Sequence, residues 1–113
     1  MQRGQLLLAP FLYSDLQGTK SRPACVVSSD AFNSGPDVIV AMVTSRRARL
    51  EQPQIGDVVV DGWREAGLRL PSVIRAGRLL VLEQRLLNLA LGTLMAGDLA
   101  NVDLALAEVL GIR

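Results

Sequence analysis

Apolar residues in this chain come in short runs, each closed by a glycine, a proline or a polar cluster, until a helical period takes over near the end. The longest of these runs is only Val38 to Val43. Runs of this kind, bounded by turn formers and containing β-branched residues, read as strands. They follow one another too closely for crossover helices to fit between them. A doubly wound parallel sheet is therefore excluded, and a mainly β small barrel is expected.

The punctuation places the strands. Residues 5–9 form the first, after Gly4 and before Pro10, and residues 13–21 form a polar loop. Residues 23–28 are the second strand, and the Asp, Asn, Ser, Gly and Pro of residues 29–37 make a turn cluster. Residues 38–44 are the third strand, followed by a second polar loop over 45–54. Residues 55–60 are a fourth strand. Residues 61–66 read as one helical turn ended by Gly67. Two short strands, 72–75 and 78–82, flank Ala76-Gly77, and residues 88–91 supply a last one. Leu99, Val102, Leu106, Val109 and Leu110 then follow helical spacing, with Asp98 in the first turn and Gly111 as the terminator. The expectation is a single domain over residues 1–113, mainly β, closed by a C-terminal helix of about four turns.

Composition narrows the chemistry. The chain has no histidine, which removes His–Cys metal sites, His-based triads and the usual histidine acid–base pair. No cofactor or metal is expected. Its one cysteine, Cys25, lies in the apolar run Pro23 to Val27 and reads as a buried strand thiol rather than a nucleophile. A lone cysteine fits a reducing compartment. No apolar run approaches the roughly 20 residues of a membrane span, and the start of the chain lacks the features of a secretory leader. A cytoplasmic protein is expected. Net charge is only +1, but residues 1–50 hold six Lys/Arg against three Asp/Glu and residues 51–113 six against eight, so the net positive charge lies in the first part of the chain.

Three clusters could carry chemistry on a phosphate. Lys20-Ser21-Arg22-Pro23 stands where a loop enters a strand, and Pro23 biases Arg22 towards an extended backbone. Thr44-Ser45-Arg46-Arg47 puts a hydroxyl pair and two cations at a strand end. Arg75 lies inside a short apolar strand, and Arg78 follows it. Taken singly, the ordinary reading of each is a solvated charge or a structural ion pair. Trp63 and Tyr13 are the large amphipathic aromatics; base stacking or packing at the core would suit either.

Taken in order, these segments resemble the MazF/PemK family of toxin ribonucleases. The opening Arg3-Gly4-Gln5-Leu6-Leu7-Leu8 looks like that family's first strand. The stretch from Gly18 through Lys20, Arg22 and Pro23 to Ser28 is the most recognisable part. Asp37 to Ser45 is similar to its third strand and catalytic threonine, Leu70 to Arg75 to its second arginine segment, and Leu91 to Leu94 to the approach to its last helix. The resemblance implies an SH3-like barrel forming a two-fold homodimer. It implies metal-independent cleavage of single-stranded mRNA at a short motif, with 2′,3′-cyclic phosphate and 5′-hydroxyl ends, and a cognate antitoxin protein as partner. By position it assigns catalysis to Arg22, Thr44 and Arg75, with Arg22 in proton transfer and Thr44 orienting the phosphate. Lys20, Ser45, Arg46, Arg47 and Arg78 are the accompanying RNA-contact candidates.

Two positions depart from the pattern. Gln5 stands where the opening strand usually carries an acid, and Gly77 stands where some members place one after the second arginine. Asp15 could substitute, though no motif fixes its place. These departures leave open a non-catalytic SH3-like module that binds RNA or peptide. A gyrase-directed toxin shares the fold, but such relatives lack the Lys-x-Arg-Pro and Thr-Ser pairing found here.

Overall fold

The computed structural model describes residues 1–12, 19–87 and 90–112. The punctuated runs become six strands: β1 (Gln5–Leu12), β2 (Thr19–Val26), β3 (Asp37–Thr44), β4 (Asp57–Val59), β5 (Val73–Glu83) and β6 (Ala90–Thr93). They pair antiparallel in one sheet, in the order β4-β5-β3-β2-β1-β6. Two short helices, α1 (Asp30–Asn33) and α2 (Arg47–Glu51), follow β2 and β3, and a longer one, α3 (Ala96–Leu110), closes the chain.

Side chains alternate across a strand, so the sheet presents two faces. Leu6, Cys25, Ala41, Val43, Val58 and Ile74 lie on one face and make the main core with Val102 of α3. Leu99 and Leu106 of the same helix pack against it. Each such side chain taken from water contributes roughly 1.5–3 kcal/mol. The opposite face gathers Leu7, Ala9, Ala24, Val26, Val38, Val40 and Leu87 into a second, smaller cluster.

The sheet curls until its far ends meet. Ala66-Gly67, between β4 and β5, abuts Leu91-Gly92 in β6, so closely that a Cβ on Gly92 would fall on the Ala66 carbonyl. Gly67 also has φ +95°, which disfavours any side chain there. The result is a curled half-barrel, mainly β with a C-terminal helix.

Several boundaries differ from the sequence reading, each for a physical reason. β1 continues through Pro10 to Leu12, because beyond Leu7 it pairs with β2 alone and a residue without N–H is tolerated on such an edge. β2 begins at Thr19 within the expected loop; residues 13–18 of that loop lie outside the described residues. The expected loop over 45–54 contains α2, and the turn cluster contains α1, N-capped by the Ser29 side chain. The two strands expected around Ala76-Gly77 are one strand. The register jumps from Met42↔Arg75 to Ala41↔Leu79, so Ala76 to Arg78 are taken up as a bulge. The last strand is Ala90–Thr93, with residues 88 and 89 outside the described set. In α3 the expected stripe holds for Leu99, Val102 and Leu106, whereas Leu110 is exposed. Gly111 ends the helix in the left-handed conformation.

Candidate active site

Pro23 shapes the site. The β2–β3 ladder runs from Val26↔Val40 to Ala24↔Met42 and stops there. The next residue of β2 is Pro23, which has no N–H to extend the ladder. The strands part beyond it, and a cleft of about 420 Å³ opens between them. Arg22 and Pro23 line it from β2, and Val43, Thr44, Ser45 and Arg46 from β3 and its exit. Leu68, Arg69, Leu70 and Ser72 wall the other side, with Leu8 and Leu91 contributing from β1 and β6. The buried Ser72 hydroxyl donates to the Leu70 carbonyl at 2.7 Å and fixes the bend of that wall.

The β2–β3 register, continued by two residues, sets Arg22 opposite Thr44. Directly opposed residues point to the same face. Met42↔Arg75 and Asp57↔Arg75 then add Arg75 and Asp57 to that face. Arg22, Thr44 and Arg75 thus fall on the same side of β2, β3 and β5, with Arg75 paired to Met42, two residues before Thr44 on β3. Arg75 does not line the cleft itself; it stands one strand further on.

Charge in the cleft is uniformly positive. Arg22 is half-buried, Arg46 and Arg69 are exposed, and no Asp or Glu is among the lining residues. Among the described residues none forms an ion pair with these three arginines. The Thr44 hydroxyl oxygen accepts the Arg46 N–H at 3.2 Å. A hydroxyl has one proton to donate, and among the described residues no acceptor takes the one on Thr44. The Thr44 hydroxyl, at the cleft wall, therefore keeps its proton free to donate.

Arg75 is in a different environment. Its Nε lies 3.6 Å from Asp57 Oδ1, while Arg49 approaches Asp57 Oδ2 at 3.6 Å. Burial, and then the neighbouring Arg49 and Arg78, push the Arg75 guanidinium below its ordinary pKa, with Asp57 opposing them.

Of the other expected residues, Ser45 and Arg46 join the cleft. Arg47 is solvated and pairs with Glu51 one helical turn away at 3.4 Å. Arg78 is exposed in the β5 bulge. The side chain of Lys20, and all of Tyr13 and Asp15, lie outside the described residues. Trp63 packs on the main core, and Arg64 covers its ring at 4.9 Å, so it offers no open face for a base on that side. Gln5 Oε1 accepts the Gln2 N–H at 3.2 Å at the start of the chain. Arg69 and Asp57 were not singled out from the sequence. The signal that could have found Arg69 is its place just after the Gly67 turn; for Asp57 it is an acid opening a strand between two arginine segments.

The sequence model of PemK-like, MazF-like toxins of type II toxin–antitoxin systems matches residues 2–110. The chain belongs to this family. Solved structures carry the same fold. An endoribonuclease in complex with its cognate antitoxin, from a mycobacterial species, superposes with a TM-score of 0.81 at 23% identity, covering 100% of this chain and 97% of that one. MazF from Deinococcus radiodurans gives 0.75 at 27% identity, over 99% and 97% of the two chains. The Mycobacterium tuberculosis toxin MazF-mt6 gives 0.72 at 18%, over 95% and 98%. A sequence comparison with curated proteins returns no match. In this family member no helix among the described residues is long and apolar enough to cross a membrane. No group of three metal-ligating side chains forms among them either.

Proposed function

We propose that this toxin is an endoribonuclease that cuts single-stranded mRNA at a short motif without a metal ion. The observation that carries the reading is the convergence of Arg22 and Thr44 in one carboxylate-free cleft, opened by Pro23 on the family's fold. A carboxylate-free, arginine-lined cleft suits a phosphodiester. In the reaction the RNA 2′-oxygen attacks its own phosphorus, forming the new P–O bond as the P–O5′ bond breaks. The 2′-hydroxyl loses its proton to water in the cleft. Thr44 donates its free O–H to a non-bridging oxygen and fixes the phosphate. Arg22 stabilises the charge that builds on the phosphorane, gives a proton to the departing 5′-oxygen and takes one back from the water that received the 2′-hydroxyl proton. The products are a 2′,3′-cyclic phosphate and a 5′-hydroxyl. Arg46 and Arg69 flank the scissile position, where they hold neighbouring phosphates.

The structural relatives include an endoribonuclease bound to its cognate antitoxin and a MazE–MazF complex. This supports a cognate antitoxin as partner here. The outer half of β5 and the turn after it expose Leu79, Val81 and Leu86, which supports pairing of two copies.

The purified protein should cleave single-stranded RNA in EDTA and leave cyclic-phosphate ends. Arg22→Ala should remain folded and lose about 100- to 1,000-fold in rate. Equal cleavage by wild type and variant removes Arg22 from the mechanism. RNA binding with no cyclic-phosphate product across many substrates replaces the nuclease with a binding module.

A further inference from the structure

The acid expected after Arg75 is missing, yet Arg75 has a carboxylate partner. A Cβ on Gly77 would meet no atom within 4 Å, so that position lies in open space and supplies nothing. Asp57 instead reaches Arg75 from the neighbouring strand, directly opposite it in the β4–β5 register. Its side chain is only 4% exposed. A reciprocal turn locks it there: the Gln54 N–H donates to Asp57 Oδ2 at 2.9 Å, and the Asp57 N–H returns to the Gln54 carbonyl at 2.9 Å. The two carboxylate oxygens then divide their work, one facing Arg75 and the other Arg49.

The Arg75 contact itself is revealing. At 3.6 Å it is an ion pair beyond hydrogen-bond range, and the buried Arg75 Nε has no hydrogen-bond partner among the described residues. A packing role would be met by a closed, bonded pair. Here the carboxylate faces the guanidinium at its Nε, and no hydrogen bond among the described residues engages the Nη groups. Removing Asp57 would leave Arg75 facing Arg49 and Arg78, with no other acid among the described residues acting on it.

We infer that Asp57 is the positioning residue of the second arginine: it aims Arg75, and with it Arg49, at the substrate phosphates. The inference rests on the nuclease reading. It predicts a split between chemistry and binding. A cation released from its position loses transition-state alignment, and misplacement on the ångström scale costs up to about 100-fold. The negative charge beside the RNA path is lost at the same time, so RNA affinity does not fall.

The test measures kcat and KM on a single-stranded RNA oligonucleotide, and affinity for the same sequence carrying 2′-O-methyl groups. The proteins are wild type, Asp57→Asn, Asp57→Glu, Arg75→Ala and the Asp57→Asn/Arg75→Ala double variant. Asp57→Asn should lower kcat about 10- to 100-fold with affinity for the methylated RNA unchanged or higher. The double variant should be no slower than Arg75→Ala alone, since Asp57 acts through Arg75. Asp57→Glu keeps the charge but moves it by a methylene; it should fold even where the Asn variant does not, and should show a smaller kcat loss. Wild-type kcat in both Asp57 variants overturns the inference, as does a fall in kcat matched by an equal loss of affinity. Additive losses in the double variant overturn it as well. Each of these leaves the nuclease reading intact, provided that wild type cleaves and Arg22→Ala does not. Wild-type failure to cleave any RNA removes both.

Discussion

Single residues here do work that their position in the chain only partly announces. Pro23 is the clearest case: a missing N–H ends a ladder, and the gap becomes the cleft. Its neighbours Arg22 and, across the gap, Thr44, Ser45 and Arg46 could be picked out from residue type and order. Arg69 and Asp57 offered only weak signals, because each enters through a contact that exists only once the sheet has curled or β4 has paired with β5. Cys25, read as an inert core thiol, is fully buried, and burial pushes its pKa from 9.0 up to about 12, with Arg3 opposing slightly. The unfolded thiol ionises from about pH 9 while the folded one keeps its proton. The folded state therefore binds more protons in that window, and stability falls as pH rises, by about 1.4 kcal/mol per pH unit. Urea midpoints measured between pH 8 and 10.5 should drop more steeply for wild type than for Cys25→Ala. Parallel slopes would show that the thiol is not the titrating group.

Among elements, the strand centres were legible and their connections less so. β3 announces itself through an unbroken apolar, β-branched run, and α3 through its period. α2 is too short to show a period and has no side-chain cap, so Arg47 to Glu51 read as loop. Ala76-Gly77 reads as a break, but the partner strand β3 is continuous and holds both halves in one ladder with a bulge. The joint between Ala66-Gly67 and Leu91-Gly92 is invisible in sequence, since it links the strands at opposite ends of the sheet order. It also carries the cleft wall, because Leu68 to Leu70 follow at once. Gly92→Ala should drive a methyl into the Ala66 carbonyl and cost about 1–3 kcal/mol. RNA cleavage should weaken as the wall shifts. Gly97→Ala is the matched control: it sits in α3 with nothing within 4 Å, and alanine is the better helix former there. Calorimetry should show a lower Tm for the first and an unchanged or higher one for the second. Equal melting of both would mean that the glycine contact does not hold the sheet's curl.

At the scale of the whole molecule, the question is how a terminal helix comes to govern a cleft it does not line. Asp98 gives the connection. It lies in the first turn of α3, where the helix dipole favours an acid, and that much was expected. What the tertiary structure adds is its target. Asp98 is 3% exposed, and its two oxygens accept the Asp61 N–H at 3.0 Å and the Gly62 N–H at 2.9 Å. The helix thus pins the start of the 61–67 turn, the Gly67–Gly92 contact pins its end, and the cleft wall of Leu68, Arg69 and Leu70 emerges from that pinned segment. Asp98→Ala removes both acceptors and strands two N–H donors, each at about 1–3 kcal/mol. Asp98→Asn keeps one acceptor oxygen and turns an NH₂ towards the other donor, so it should recover only part of the loss. The expected result is a graded fall in urea midpoint, Ala below Asn below wild type, and a parallel fall in RNA cleavage at temperatures where all three remain folded. Hydrogen exchange should show faster opening confined to residues 61–70. Destabilisation spread evenly over the sheet, with cleavage by the folded variants unchanged, would mean that α3 supports the core alone and that the cleft wall stands without it.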